Sequence, residues 1–235
     1  MSEFTARTAM LLGERAIEAL RSKRVAVFGL GGVGGSCAEA LARSGVGRLH
    51  VVDGDRVEHS NLNRQLVATK LSLGVEKTVA MAKRIAEVSD CEVTAYTGFV
   101  LPEYIDASLP ADVDYIADAI DTVSTKLALV RFANEHGIPI ISCMGMGNRL
   151  DPTQITVRDI YATEGCPLAR TMRRELKCMG IAALDVVFST EPARVPMQRM
   201  RSDGGRDIPG SSAFVPPAAG LVMASEIVRR LCICD

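Results

Sequence analysis

From Arg24 onward the chain alternates short β-branched, apolar runs with longer stretches whose apolar positions recur at helical spacing. "RVAVFGL" (24–30) and "RLHVVD" (48–53) read as strands, with "GGSCAEALARSG" (34–45) between them as a helix closed by Gly45. "GVEKTVAMAKRIAEV" (74–88) puts Val75, Val79, Ala82 and Ala86 in helical spacing, with its Lys and Arg late in the element. "EVTAY" (92–96) and "VDYIADAI" (113–120) follow as third and fourth strands, "STKLALVRFANEHG" (124–137) as a helix and "IPIISCM" (138–144) as a fifth strand. This rhythm predicts an α/β fold, Rossmann-like and doubly wound, whose mainly parallel sheet carries helices on both faces.

Past Asp151 the rhythm breaks. "QITVRDI" (154–160) and "ALDVVFST" (183–190) read as strands on either side of a helical "CPLARTMRRELKCMG" (166–180). Glycine, proline and arginine between Arg194 and Ser212 predict a mobile loop, about residues 190–212. "VPPAAGLVMASEIVRRL" (215–231) is a closing helix with prolines at its first turn. The expected organisation is one domain over 1–235: a helical leader at 1–20, a nucleotide-binding core at 21–150 and a strand/helix extension at 151–235.

Composition narrows the classes of function. A net charge of −1 with 48% hydrophobic residues describes a full core and no global attraction to nucleic acid or acidic membranes. Seven scattered cysteines and a polar start, "MSEFTARTAM", indicate free thiols in a reducing cytoplasm. No Cys-x-x-Cys pair offers a structural zinc site. The longest apolar run, residues 213–224, is about half the ~20 residues a membrane span requires.

Candidate chemistry begins at "VAVFGLGGVGG", where Gly29, Gly31 and Gly34 form G-x-G-x-x-G between a strand and a helix, with Gly32 inside it. Such a turn lets backbone approach a phosphate at a helix N-terminus, and Asp53 at the end of the next strand is placed to hold a ribose. NAD is the default ligand of this loop, but it leaves Asp55, Asn61, Arg64, Gln65 and Lys77 unexplained. Two cations, amide donors and a further carboxylate, Asp121 just past the fourth strand, suit ATP with Mg2+ better than a nicotinamide. Plainer readings stand beside these: solvated charges for Arg64 and Lys77, turn caps for Asn61 and Asn63, a helix N-cap for Asp121. None of His50, His59 and His136 falls in a motif.

The stretches "GLGGVGG", "VVDGDRVEHSNLNRQ", "LGVEK" and "DAIDT" resemble the adenylating superfamily of ubiquitin-activating enzymes and sulfur-carrier adenylyltransferases. "ARTAMLLGE", "GMGNRLDPTQITVRDI", "CPLARTMRRELK" and "GSSAFVPPAAGLVMA" are similar to the tRNA threonylcarbamoyladenosine dehydratases within it. That resemblance implies an adenylation domain in which Gly31 and Gly34 back the nucleotide and Asp53 holds the ribose. Asn61, Arg64 and Lys77 would contact phosphates, and Asp121 would bind magnesium. It implies a homodimer with Arg7 reaching into the second copy's site, and a sulfur-relay protein as a candidate accessory. The substrate implied is tRNA carrying threonylcarbamoyladenosine.

A tRNA partner requires local cations. Residues 158–206 hold nine lysines and arginines against six acids, whereas 1–157 hold sixteen against nineteen. Arg170, Arg173, Arg174 and Lys177 recur on one helical face, with Arg194, Arg199, Arg201 and Arg206 in the loop beyond; a merely solvated face is the alternative. Cys166 precedes that helix, near where related activating enzymes carry a catalytic thiol, although a small residue at a helix start is the reading the pattern favours. Three competitors remain at this point: a sulfur-carrier (ubiquitin-like) protein adenylyltransferase, a non-catalytic nucleotide-binding protein and an NAD-dependent oxidoreductase.

Overall fold

The computed structural model describes residues 3–201, 205 and 207–232. Helices α1 (Ala6–Leu12) and α2 (Glu14–Ser22) precede strand β1 (Arg24–Phe28), helix α3 (Gly32–Arg43), strand β2 (Arg48–Asp53), helix α4 (Lys77–Ala86) and strand β3 (Glu92–Thr97). Then come β4 (Tyr115–Asp118), α5 (Val123–His136), β5 (Ile140–Cys143), β6 (Ile155–Asp159), α6 (Pro167–Cys178) and β7 (Asp185–Ser189). A two-residue ladder, β8 (Met200–Arg201) with β9 (Asp207–Ile208), leads to α7 (Val215–Cys232).

One seven-stranded sheet runs β3-β2-β1-β4-β5-β7-β6, parallel except for β6, which lies antiparallel to β7. The strand order reverses between β1 and β4, so the crevice at their carboxyl ends is where an open α/β sheet takes its ligand. Alternation along β1 shows how the layers form. Val25 and Val27 join the cluster under α2, α3, α4 and α7, whereas Ala26 and Phe28 face the cluster under α5. β7 behaves alike: Val187 packs with the first layer, and Val186 and Phe188 pack beneath α6.

The helical leader consists of two helices broken at Gly13. The segment expected as a mobile loop contains the β8–β9 ladder, pairing Met200 with Ile208 and Arg201 with Asp207. Arg206, read as part of that basic loop, lies outside the described residues. The extension after residue 151 adds β6 and β7 to the same sheet and sends α7 back across α3.

The α3–α7 packing leaves no room for a side chain between backbones. A Cβ at Gly220 would overlap the Val33 carbonyl oxygen and lie 2.9 Å from the Cys37 nitrogen. Gly220→Ala is therefore expected to cost about 1–3 kcal/mol by overpacking. Chemical denaturation would show it as a lower midpoint at an unchanged slope.

Candidate functional site

β1 hands the chain to α3 through a turn fixed by close contacts. Gly29 adopts φ +84°, and its N–H donates to the Val52 carbonyl at 2.8 Å. A Cβ at Gly29 would lie 2.8 Å from the Ala119 oxygen, and one at Gly34 would overlap the Gly29 oxygen. Gly31 differs: a Cβ there would have only the Gln65 Nε2, at 4.0 Å, within contact range. Space therefore opens over Gly31, at the start of a helix with no side-chain cap. Free first-turn N–H groups and the helix dipole together favour an anion at that point.

Asp53 braces this turn. Its Oδ2 accepts the Leu30 N–H at 2.6 Å and its Oδ1 the Asp55 N–H at 2.8 Å. Burial pushes its carboxyl above the usual range, against the pull of the Lys77 ammonium and those two amides. Lys77 is itself buried, with Nζ 2.7 Å from Asp55 and 4.0 Å from Asp53. The carboxylates thus offset a cation placed against the α4 dipole.

The "SNLNRQ" stretch divides its labour. Asn61 caps its own turn: Oδ1 accepts the Glu58 N–H at 3.1 Å and Nδ2 donates to Ser60 Oγ at 3.1 Å. Asn63 Nδ2 donates to the Ser211 carbonyl at 3.0 Å, fastening the segment ahead of α7 to the site. Arg64 donates to the Ser60 carbonyl and to Asn63 Oδ1, both at 2.9 Å, and its Cγ lies 3.5 Å from where a Gly32 Cβ would sit. Gln65 is only 8% exposed, and its Oε1 has no hydrogen-bond partner. The donor end of this amide, Nε2, is what lies beside Gly31, so Gln65 offers the recess a hydrogen-bond donor suited to a phosphate oxygen.

Asp121 is exposed, with Thr122 Oγ1 3.4 Å from its Oδ1, and the N-cap position of α5 belongs to Thr122. Beneath it lies a pair that the sequence did not single out. Asp118 and Lys126 are both fully buried and 2.9 Å apart. Asp118 Oδ1 accepts the Ile120 N–H at 3.1 Å, Lys126 Nζ donates to the Ile120 carbonyl at 3.0 Å, and Ser142 Oγ donates to Asp118 at 2.7 Å. Both backbone polar groups of Ile120, the residue before Asp121, are therefore clamped. Arg149 and Glu191 were likewise missed. Arg149 donates to the Gly145 and Glu191 carbonyls at 2.5 and 3.0 Å, while Glu191 accepts the Leu150 and Asp151 amides at 3.0 and 2.9 Å. Those amides and Arg194 hold the Glu191 carboxyl below the usual carboxylate range.

The remaining sequence candidates fall elsewhere. Cys166 is 3% exposed and packs in the α5–α6 cluster, its Sγ 3.6 Å from a Cβ at Gly145, which gives it a packing role in the chain. On α6, Arg173 is drawn off the basic face: it donates to the Thr163 carbonyl at 2.8 Å and to Thr163 Oγ1 at 2.5 Å. Arg170, Arg174 and Lys177 stay exposed, with Arg174 beside Glu175 at 2.6 Å. Arg7 is exposed on α1. His50 is buried between Thr94 Oγ1 and the Ser108 carbonyl, each at 2.8 Å, and burial holds its pKa below that of a free imidazole. A groove of about 300 Å³ lies at the opposite sheet edge, between Ile140 and Asp185, and contains none of these candidates.

A strand–glycine turn–helix unit, a buried carboxylate behind it and a recess edged by Arg64, Gln65 and Lys77 define a nucleotide-binding α/β protein. The chain belongs to the ThiF family, whose model matches residues 5–235. The Bacillus subtilis (strain 168) tRNA threonylcarbamoyladenosine dehydratase is 39% identical to it, over 96% of this chain and 93% of that one. The structure of Escherichia coli tRNA N6-threonylcarbamoyladenosine dehydratase, TcdA, in complex with ATP superposes with TM-score 0.89 at 34% identity, covering 97% of this chain and 93% of that one. The same enzyme in complex with AMP gives TM-score 0.89 at 35% identity, with 97% and 94% covered.

The buried clamp generates a test. Lys126→Met leaves the Asp118 carboxylate buried and unpaired, at an expected cost of about 3–5 kcal/mol in denaturant unfolding. The double variant Asp118→Asn/Lys126→Met should recover part of that loss. Additive losses would mean the two side chains are not coupled.

Proposed function

We propose that this chain is an ATP-dependent tRNA-modifying enzyme of the cytoplasm. It adenylates the threonyl carboxylate of threonylcarbamoyladenosine in tRNA, then closes the ring with net loss of water. The observation that carries the nucleotide half is the open space over Gly31, edged by the Gln65 Nε2 donor and, at the neighbouring Gly32, by the Arg64 side chain. The tRNA half rests on similarity to dehydratases across more than nine-tenths of both chains.

The roles follow from position. Asp53 takes the ribose, Gly31 and the α3 amides back the phosphates, and Arg64, Gln65, Lys77 and Asn61 line them. Attack of the carboxylate on the α-phosphorus expels pyrophosphate and leaves an acyl-adenylate. Charge gathers on phosphate oxygens during that displacement, so cations fixed in advance stabilise the transition state more than the ground state. The adjacent urea group then attacks the acyl carbon and AMP departs, a closure assisted by holding both groups on one nucleoside.

Among the described residues no group of three or more histidines, cysteines or acids could hold a metal, and Asp121 is a single exposed carboxylate. That donor set fits a magnesium ion arriving on the triphosphate, where it would offset phosphate charge. Helix α1 and the turn before it expose Phe4, Met10 and Leu11 around Arg7. An apolar patch of this kind suits pairing of two copies, bringing the partner subunit's Arg7 to the site. Arg170, Arg174 and Lys177 form the tRNA-facing side of α6. No helix among the described residues is long and apolar enough to cross a membrane.

Arg64→Ala and Asp121→Ala should each lower pyrophosphate release by roughly a hundredfold or more while circular dichroism stays unchanged. Full activity in both would overturn the site assignment. Nucleoside mass spectrometry after incubation with ATP should show modified tRNA lighter by one water. Turnover driven by a small carrier protein instead would replace the tRNA reading. The double reversal Arg174→Glu/Lys177→Glu should weaken tRNA binding and flatten its salt dependence by about one unit of log–log slope per lost contact. ATP affinity should not change; equal loss of both would remove the separate RNA face.

A further inference from the structure

We infer that the hollow at the foot of the β8–β9 hairpin seats the base of a tRNA nucleotide flanking the modified adenosine, a subsite of the reaction proposed above and dependent on that reading. The hollow encloses about 270 Å³. That is just under the ~300–1,000 Å³ of sites for drug-sized ligands, which leaves room for one flat heterocycle and little more. Val195, Pro196, Met200 and Ile208 give it apolar walls, and Arg194 and Arg199 line it beside them. Arg194 rests on Glu191 at 3.2 Å, and the one carboxylate in the lining, Asp207, meets Arg201 at 3.3 Å. Arg199 is exposed and has neither an ion pair nor a hydrogen bond among the described residues. The hollow therefore keeps an unengaged guanidinium among apolar side chains. A planar cation of that kind stacks on a base face and can meet the adjoining phosphate.

Backbone bonds hold the hollow in shape. Asn148 adopts φ +59°, and no other non-glycine residue among those described has a positive φ. From that conformation it ties both ends of the segment carrying the hairpin. Its N–H donates to the Gly210 carbonyl and its Oδ1 accepts the Gly210 N–H, each at 2.7 Å, while its carbonyl accepts the Arg194 N–H at 2.8 Å. A Cβ at Gly147 would lie 2.7 Å from the Pro209 Cβ, so the loop after β5 and the hairpin's return strand are in direct contact. The hollow also adjoins the crevice. The Ser211 carbonyl is held by Asn63, next to Arg64. Two residues of chain span at most about 7 Å, so Pro209 in the lining lies within that distance of the anchor. A strand delivering its modified adenosine to the crevice would bring the neighbouring nucleotide beside this hollow. Stacking tolerates any base, so the hollow sets the register of the strand and leaves the choice of reacting residue to the crevice.

A cycle between protein and RNA variants tests the subsite. The RNA is a synthetic stem–loop carrying threonylcarbamoyladenosine, either intact or with the base of one flanking nucleotide removed and its sugar and phosphate kept. Arg199→Ala should weaken binding of the intact loop about tenfold, the scale of one stacked base. Removing the base on the seated side should weaken the wild-type protein by a similar factor, and Arg199→Ala should then lose nothing further. The charge reversal Arg174→Glu/Lys177→Glu should instead weaken intact and abasic loops alike. Equal losses for Arg199→Ala on the intact loop and on both abasic loops would make Arg199 a phosphate contact only, and overturn the base subsite. Unchanged affinity of Arg199→Ala for the intact loop would overturn it too. Weaker binding of magnesium-ATP by Arg199→Ala without RNA would assign the hollow to the cofactor, with the same consequence. In each of those cases, wild-type binding and dehydration of the intact loop would leave the dehydratase reading standing. Failure of the unaltered chain to bind or dehydrate that loop would remove both readings together.

Discussion

The site depends on helix α3 being gripped at its first turns by backbone alone. On one side Gly34 lies so close to the Gly29 carbonyl that no Cβ fits; on the other Gly220 of α7 does the same against Val33 and Cys37. Packing of this closeness has two arrangements, in place or displaced, and little between. It fixes where the unpaired amides of α3 point, to within the tolerance of van der Waals contact. It also makes the last helix of the chain part of the nucleotide machinery, although α7 carries none of the candidate side chains. Asn63 extends the same logic by holding the Ser211 carbonyl, so the segment entering α7 is tied to the loop that presents Arg64.

The charged groups around the recess are arranged so that each already has a partner it can exchange. Lys77 rests on Asp55 and Asp53, Arg64 on the Ser60 carbonyl and Asn63, and Asn61 on its own turn. A buried ammonium without such partners would carry a large desolvation penalty. With them, a phosphate bound as proposed would replace one set of hydrogen bonds by a more strongly charged set, with little side-chain ordering added at that moment. The Asp118–Lys126 pair fixes the residue before Asp121, Ile120, at both its N–H and its carbonyl.

What the sequence disclosed and what it concealed divide along contact distance. Period-two and period-3.6 patterns exposed the strands and helices, and the glycine spacing between β1 and α3 exposed the phosphate loop, because those signals are local. Lys126 was hidden inside a helical pattern and Asp118 inside a strand. The available clue was a charge in the middle of "DYIADAI", where a buried parallel strand should be apolar. Arg149 and Glu191 are 42 residues apart and meet only through the sheet, so no window could pair them. Helical spacing put Arg173 on the basic face correctly; what it could not reveal was Thr163, whose carbonyl and hydroxyl pull the guanidinium aside. The break at Gly13 was visible as a residue but not as a boundary, since the periodic run continues across it.

The separation between α6 and the recess bears on how a substrate would be chosen. Cations on an exposed helical face meet phosphates, and phosphate contacts set position without reading bases. As the proposed tRNA face, Arg170, Arg174 and Lys177 would supply affinity and salt dependence, and almost no discrimination among tRNAs. Discrimination has to arise where a carboxylate is brought to the α-phosphorus, because only a nucleoside bearing that carboxylate can form the mixed anhydride. The packing of Cys166 against Gly145 ties the first turn of α6 to the carboxyl edge of β5. On the proposed reading, a tRNA held along α6 would rest on a rigid element, and the chemistry in the crevice, not the cations, would decide which residue on it reacts.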